Sequence, residues 1–410
     1  RPITQEQPKE SRSNGASGRV PGLLAGTLLR PIVLMNDLRN KKISQFHLLP
    51  ISDEICDNGL MQRLHKLKYQ PALKQSDRAV RSRSFRTTLE FESCFAAVGY
   101  DVKAVQITPG ELKGSFGVYG SSTLPILSIR TNQGLVVEGS RSLEKTVIGL
   151  EQTENINLHR VRGESLNPCS IHGFSTRLKD SYFQMSPGAH TTMAIFKTQR
   201  LQDLAQIHGE QKLVDCLDRH NSLQLQPEHF NQLKTLLQPN NHTNGVSQES
   251  LIEGALLECF HPEVFLGSSN GEPTHQAQLM REMLLWGLEN PNNAIKLDDL
   301  SATIFASRSS LVQNCRSTFG LGPMTLMKNI RLGQVHLALS HPEIRHNMGH
   351  HTVRSISSHY GFQSRNHFAR DYRLFFGESP SATLQRSEAP GISAQSVSVA
   401  HKPQIAMALR

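Results

Sequence analysis

Histidine, cysteine and carboxylate side chains do most metal and acid–base chemistry in proteins. Here their spacing argues mainly against such chemistry. A metal-binding β-barrel gathers histidines and a carboxylate around one ion. His159, His172 and His190 are instead scattered along the sequence, which disfavours a metal site. His208-Gly209-Glu210 has the H-x-E form of a zinc deaminase, but the proline–cysteine partner should follow it. Pro168-Cys169 precedes it, so the match is rejected. His346, His350 and His351 cluster in "IRHNMGHHT" without a fixed ligand spacing. A solvated polar loop is preferred there over metal binding, and the pair can still sit near a phosphate and add pH dependence. Cys56, Cys94, Cys169, Cys216, Cys259 and Cys315 contain no C-x-x-C pair. Reduced thiols in a cytosolic compartment are expected. There is no G-x-G-x-x-G and no P-loop, so neither a cofactor nor an enzyme is expected.

The totals point elsewhere. The net charge is +9 and the pI about 9.3, with 37% hydrophobic and 19% charged residues. That composition is ordinary for a soluble chain of two or three domains, and a basic excess favours polyanionic partners where it is localised. The apolar stretch Val20 to Met35 is interrupted by Arg30 and two prolines. It is too short and broken to span a bilayer, and no membrane partner is expected. The chain begins at Arg1, and its first methionine, Met35, opens "MNDLRNKK". Residues 1–34 are expected to be a disordered arm or a translation-start artefact.

The elements that would position any site fall into two textures. Residues 1–45 are rich in Ser, Gly, Pro and Arg and are expected to be a disordered arm. "DRAVRSRSF", with Arg78, Arg81 and Arg83, reads as a solvated face. From Val102, the runs "VKAVQI", "GSFGVY", "LPILSI", "GLVVEG" and "KTVIGL" are punctuated by Pro109-Gly110, Ser121-Ser122 and Asn132-Gln133-Gly134. "SIHGFSTRL" and "TTMAIFK" add strands, with Ser186-Pro187-Gly188 as a turn. This spacing predicts a β-sandwich or barrel. After Thr198 the texture is helical. "TQRLQDLAQIHG" ends on Gly209, "PEHFNQLKTLLQPNN" is bounded by prolines, and "SQESLIEGALLECF" places Leu251, Ala255, Leu256 and Phe260 near one stripe. That last helix fits a dimer contact and an internal core equally well. "LGSSNGEPT", Leu266 to Thr274, has the composition of a linker. Trp286, with Leu284 and Leu285, reads as part of a packed helix that follows it.

Beyond the linker one spacing is written twice. "FASRSSLVQNCRSTFGLGP", Phe305 to Pro323, and "FQSRNHFARDYRLFFGESP", Phe362 to Pro380, share offsets but few residues. Ser307, Leu311, Cys315 and Phe319 fall four apart, as do Ser364, Phe368, Tyr372 and Phe376, and a Gly and then a Pro follow each set. Residues four apart share a helix face. Each copy is therefore read as a helix with a Ser cap, one buried stripe and a Gly stop. A short helix precedes each, burying Leu297 and Leu300 in the first copy and Val353 and Ile356 in the second, with Gly361 marking the second turn. Short helix, tight turn and longer helix make a helix-turn-helix. From Arg308 to Arg386 the only acids are Glu343, Asp371 and Glu378, against ten Lys or Arg residues. The basic excess lies where the repeat lies.

In this stretch the sequence resembles the AraC/XylS family of transcription regulators. "LDDLSATIFASRSSLVQNCRSTFGLGPMTLMKNIRLGQVHLAL" resembles that family's first helix-turn-helix and connecting helix, including Arg331-Leu332. "TVRSISSHYGFQSRNHFARDYRLFFGESP" resembles its second, with the Gly361-Phe362 turn and a Phe-Gly-x-x-Pro end. Cys315 and Tyr372 stand where the family usually has Phe, and Ser357 where it has Ala, which bears on stability. By position, the resemblance implies DNA-reading residues Ser309, Val312, Gln313 and Arg316 in the first unit and Arg365, Asn366 and Arg370 in the second. Arg can fork onto guanine, and Asn or Gln can pair with adenine. A linking helix from about Thr325 to Ser340 would set the two units into successive major grooves, about 34 Å apart. "VQITPGELKGSF", Val105 to Phe116, is similar to the sensor region of the ethanolamine-utilisation regulator type, which implies a β-rich effector domain.

The expectation is an α+β protein: an arm over 1–45, a β-rich effector or dimerisation region over 46–265, a linker over 266–274, a double helix-turn-helix over 275–386, and a disordered tail over 387–410. The resemblance implies promoter DNA, RNA polymerase, an unidentified small-molecule effector and a homodimer as partners. It also implies a cytoplasmic, nucleoid-associated location and an activating role. A constitutive repressor or architectural DNA-binding protein is the alternative.

Overall fold

The computed structural model describes residues 81–154, 156–239, 247–292 and 295–389. The arm expected over 1–45 lies outside the described residues, as does all of the expected tail beyond 389.

The first elements are β1 (Arg81–Phe85), α1 (Thr88–Ala96), β2 (Val102–Gln106), β3 (Gly114–Gly120), β4 (Pro125–Thr131), β5 (Leu135–Ser140) and β6 (Lys145–Glu151). Then come β7 (Arg160–Val161), β8 (Glu164–Ser165), β9 (Ser170–His172), β10 (Asp180–Met185) and β11 (His190–Lys197). Helices α2 (Thr198–His208) and α3 (Gln211–Arg219) precede β12 (Ser222–Leu225), and α4 (Pro227–Leu236) and α5 (Gln248–Cys259) precede β13 (Phe265–Ser269). The strands form two antiparallel sheets, ordered β1-β3-β4-β11-β6-β9-β12-β13 and β2-β5-β10-β7-β8.

The sheets face one another. Val102, Ala104, Leu135 and Val137 of the smaller sheet share a core with Phe116, Leu127, Ile129, Met193 and Ile195 of the larger. Alternate residues of a strand point to opposite faces. Accordingly Val105, Val136 and Tyr182 point the other way, into a third core made with helices from the C-terminal part of the chain. The smaller sheet is thus covered on both sides. α1 starts at a capping box in which Thr87 accepts from the Glu90 N–H at 3.2 Å and Glu90 accepts from the Thr87 N–H at 3.2 Å.

One expectation needs correction. The stretch 266–274 begins as strand: residues through Ser269 belong to β13, which pairs with β12 along Ser222↔Ser269. The helical segment 198–265 also lends β12 to the larger sheet, so this region is built on the β-rich one. Its α5 buries Ile252, Ala255, Leu256 and Cys259 in a core with α2, α3 and α4, while Leu251 is only half-buried. That apolar stripe is spent inside the chain.

Two of the scattered histidines meet in space. His159 and His172, scattered in sequence, meet with ring centroids 6.0 Å apart, and His159 Nδ1 lies 3.2 Å from Glu151 Oε2. His172 packs on Gly149, where a Cβ would sit 2.6 Å from the imidazole Cε1. His190 stands apart, against Ser128 Oγ at 3.3 Å. Among the described residues no group of three or more side chains is arranged to hold a metal. Burial pushes His159 down to about 4 and His172 down to about 3. Both are neutral at pH 7, whereas unfolded histidines titrate near about 6.5. The unfolded chain therefore binds more protons as pH falls from about 6.5 towards 4, and stability is lost across that window. Urea denaturation at pH 7, 6 and 5 is expected to show a loss of about 1.4 kcal/mol per pH unit for each fully titrating histidine. His159→Leu should reduce the slope; an unchanged slope would contradict the assignment.

Candidate nucleic-acid interface

The C-terminal elements are α6 (His275–Glu289), α7 (Leu297–Thr303), α8 (Arg308–Phe319), α9 (Pro323–Ser340), α10 (Pro342–Met348), α11 (Val353–His359), α12 (Arg365–Phe376) and α13 (Pro380–Glu388). α7–α8 and α11–α12 are the two helix-turn-helix units, and α9 joins them. The Ser307 side chain accepts from the Ser310 N–H at 3.1 Å, and that of Ser364 from the His367 N–H at 3.4 Å. Gly320 and Gly377 end α8 and α12 in the left-handed conformation, at φ 72° and 76°. Leu311, Cys315 and Phe319 are buried in one core and Phe368, Tyr372 and Phe376 in the next. Trp286, half-buried on α6, packs against the first of these cores.

The unusual core residues are accommodated. Cys315 is fully buried, and burial pushes its thiol up to about 12. Tyr372 donates from its hydroxyl to Thr383 Oγ1 at 2.9 Å and is bonded to His336 Nδ1 at 2.7 Å. Ser357 Oγ donates to the Arg354 carbonyl at 3.1 Å. Arg331, on the linking helix, lies over the Phe362 ring, 5.2 Å from its centroid.

The two turns differ by one residue. Between helix ends the first has Ile304 to Ser307 and the second Tyr360 to Ser364. The left-handed place held by Gly361 at φ 76° is held by Phe305 at φ 53°, and the packed counterpart of Phe362 is Ala306. The alignment of Phe305 with Phe362 therefore fails at the turn, although it holds from the caps onward. Phe305 is 96% exposed. A non-glycine residue in this region costs roughly 1–2 kcal/mol, offset in part by the entropy a glycine adds to the unfolded chain. Phe305→Gly is expected to raise stability by about 1 kcal/mol, read as a shift in urea midpoint. A decrease would show that the ring is packed against a partner.

Ser309, Val312, Gln313 and Arg316 follow one stripe of α8. With Arg308 and Ser317 they line a shallow, open depression. Ser309, Gln313 and Arg316 are exposed and Val312 is half-buried. Arg365, Asn366 and Arg370 are exposed on α12. Counted from the Ser caps, Asn366 matches Ser309, Arg370 matches Gln313, and Arg373 matches Arg316. Arg373 is also exposed, and the sequence reading missed it, although the repeat offset identifies it. The acids of this region are engaged: Asp371 by Lys328 at 3.0 Å and Arg370 at 3.4 Å, Glu378 by Arg386 at 2.6 Å, Glu343 by His341 at 3.4 Å. Arg316, Arg354, Arg365 and Arg373 have no ion pair among the described residues and are exposed, so each can meet a phosphate or a base edge. His346 and His351 are exposed, and His350 packs on His359 with centroids 5.0 Å apart.

The β-rich region holds both units from behind. Arg160 donates to the Ser317 and Thr318 carbonyls at 2.8 and 3.2 Å, and Gln184 donates to Thr318 at 3.2 Å. These are last-turn carbonyls of α8, the negative end of the helix dipole. The Gly110 N–H donates to the Phe375 carbonyl of α12 at 2.6 Å. Arg281 of α6 bridges Glu138, with Nε 2.9 Å from Oε2, and Asp180 at 2.6 Å.

Gly267-Ser268-Ser269-Asn270-Gly271 spells the G-x-S-x-G of a nucleophile elbow, which requires a sharp strand-to-helix turn. Here it ends an edge strand, the next helix starts only at His275, and Ser269 is bonded to Glu164. No helix of the described residues is long and apolar enough to cross a membrane.

Comparison with known proteins places the family described as "Helix-turn-helix domain" over residues 300–386. The chain is 34% identical over 98 residues to the XylDLEGF operon transcriptional activator 2 of Pseudomonas putida, covering 23% of this chain and 59% of that protein. It therefore spans less than two thirds of that curated relative. It is similar to a solved probable AraC family transcriptional regulator from Rhodopseudomonas palustris, at 32% identity over 27% of this chain and 97% of that one, with a TM-score of 0.24. It is also similar to ToxT from Vibrio cholerae, at 11% identity over 75% of this chain and 97% of that one, with a TM-score of 0.26. The ethanolamine-type resemblance at Val105 to Phe116 is not supported by these matches.

Proposed function

We infer that this chain, whose residues 300–386 are an AraC-type helix-turn-helix domain, is a sequence-specific transcription regulator that binds promoter DNA through both units. The observation that carries this reading is the pair of Ser-capped helices presenting exposed Arg and amide side chains on stripes opposite their cores, with Arg316, Arg365 and Arg373 free of ion pairs among the described residues. Ser309, Val312, Gln313 and Arg316 read one element, and Arg365, Asn366 and Arg370, joined by Arg373, read the other. The β-rich region is the sensor part, and the DNA-binding part begins near His275. The operon activator it resembles supports an activating role; in this reading the chain acts on RNA polymerase, as a non-enzymatic protein of the cytoplasm.

Fluorescence anisotropy of the full chain on a library-selected duplex, over a salt series, tests this. A bipartite site with elements about one helical turn apart is expected, with a salt slope of about 0.9 per phosphate neutralised. The element under α12 should discriminate bases more sharply, because α12 offers more donors. Salt-labile binding with no selected sequence would leave only non-specific DNA association.

A further inference from the structure

The inner face of the larger sheet changes character along its width. Under β3, β4 and β11 it is apolar, with Phe116, Leu127, Ile129, Met193 and Ile195 in the core shared with the smaller sheet. At β9, β12 and β13 the same face is polar. Ile171, Leu223 and Leu225 point into the core made with the helices. Ser170, Ser222 and Gln224 alternate with them and so point the other way, towards the smaller sheet. The register sets these groups in a grid. Ser170, Gln224 and Gly267 lie side by side across the three strands, and His172, Ser222 and Ser269 make the next row. Neighbours in a row stand about 5 Å apart. The rows are two residues, or about 7 Å, apart.

A cavity of about 230 Å³ opens over this grid, with the β7–β8 hairpin as its opposite wall. Ser170 is 3% exposed and lines the cavity, yet its hydroxyl makes no hydrogen bond among the described residues. The Ser222 hydroxyl and the Gln224 amide, on half-buried residues of the same wall, are equally without a partner there. Buried polar groups are normally paired, so this wall holds bonding capacity in reserve. Gly267 adds a slot. It is not among the glycines at positive φ, so its backbone does not demand glycine. A Cβ there would meet only Gln224 Oε1, at 3.8 Å. A glycine inside a strand weakens it and marks a place of close approach, and no protein atom makes that approach here.

The wall also selects a chemistry. No Lys, Arg or His among the described residues lines the cavity, and its one carboxylate, Glu164, already accepts from Ser269 Oγ. Val161 and Leu166 are its only apolar side chains among the described residues. It therefore offers neither a free counter-charge nor a broad apolar surface. Hydroxyls and amides both donate and accept, as the hydroxyls of a polyol do. Several hydroxyls on one short carbon skeleton can meet wall groups about 5 to 7 Å apart. The volume lies below the roughly 300–1,000 Å³ of drug-sized sites, so the occupant is small.

We propose that this cavity binds a small neutral polyol, of the sugar-alcohol or monosaccharide kind, held by Ser170, Ser222 and Gln224 and lying over Gly267. The opposite wall leads to the first reading helix. β7 and β8 are two residues each, and consecutive strand residues face opposite ways. Val161 and Glu164 line the cavity. Arg160, beside Val161, faces away and donates to the Ser317 and Thr318 carbonyls at the end of α8. The hairpin is thus a partition one backbone thick between the cavity and α8. Its turn abuts α6, since a side chain on Gly163 would strike the Ala277 Cβ. An occupant bearing on Val161 and Glu164 moves the Arg160 grip. This regulatory consequence rests on the DNA-binding reading; the site itself does not.

The test is saturation-transfer NMR of the full chain with five- and six-carbon sugars and sugar alcohols, each paired with its aminodeoxy and carboxylate counterparts. A neutral member should bind saturably, and its charged counterparts about tenfold more weakly or not at all. Gly267→Val should weaken binding by about tenfold or more by filling the slot, while thermal stability holds or rises because valine suits a strand. Ser170→Ala is the second variant; it removes an unbonded buried hydroxyl, so the fold should hold while binding falls. The proposal is overturned if no neutral member binds, if the charged counterparts bind as well, or if the folded variants bind unchanged. Anisotropy with the selected duplex is read separately. The bound polyol should change duplex affinity in the wild-type chain and not in Arg160→Leu, which keeps its polyol affinity. No change in the wild type, or the same change in both, overturns the route through the hairpin. A polyol that binds to a chain with no affinity for DNA would sink the regulator reading and leave the site standing.

Discussion

Arg365→Ala is expected to weaken binding of the selected duplex by roughly 10- to 100-fold and to erase base preference at one position of the element under α12. Arg365 is the first residue of α12, next to the Ser364 cap, and no acid lies in that first turn. It is exposed and makes no ion pair among the described residues, so its fork is free to meet O6 and N7 of a guanine. Arg370 differs, because Asp371 stands 3.4 Å away and competes for it. Arg370→Ala should therefore cost less. Arg365→Lys separates two roles, since lysine keeps the charge and loses the fork. Retained preference with Lys would make Arg365 a phosphate contact. Thermal stability should not change in either variant, because the side chain is exposed and makes no ion pair among the described residues. A binding-site selection with the stronger preference under α8 would contradict the ranking of the two helices.

What could be read from sequence was local. A Ser cap, a stripe four apart and a Gly stop are set by neighbouring residues, so both reading helices and their buried faces were legible to within a residue or two. The turns were less so, because one inserted residue, Gln363, shifts the register between Gly361 and the cap, and only backbone conformation shows that Phe305 takes the glycine's place. β7, β8 and β12 are too short to carry a period. β13 hides in a stretch whose Gly, Ser and Asn content reads as linker, because its pairing with β12 is a long-range event. The meeting of His159 and His172 is equally non-local. One distant contact did leave a trace. Leu135, Val136 and Val137 are all fully buried, and an unalternating apolar run is what a strand covered on both faces requires. "GLVVEG" thus announced that something lies on the outer face of the smaller sheet, though not that it would be the first helix-turn-helix unit.

That contact can be broken at one side chain, and Arg281→Leu is expected to cost about 3 kcal/mol in urea denaturation of the full chain. Arg281 bridges Glu138 and Asp180 from α6, with its guanidinium carbon 5.8 Å from the centroid of the Tyr182 ring. Its side chain is 24% exposed, and those of Glu138 and Asp180 are 13% and 28% exposed. Asp180 keeps a second partner in Arg162 at 3.0 Å, so Glu138 is the charge left stranded. The loss comes from that stranded carboxylate more than from the value of the pair itself. Removing both should therefore recover much of it: Arg281→Leu with Glu138→Leu is expected to be clearly more stable than Arg281→Leu alone, and the double-mutant cycle measures the coupling. The single variant should also loosen the hold of Arg160 on the last carbonyls of α8, seen as faster proteolysis between Gly271 and Thr274. A cost below about 1 kcal/mol would place the bridge among solvated surface pairs. The two regions would then be joined by the apolar core around Val136 and Met283, and DNA affinity would be insensitive to this bridge.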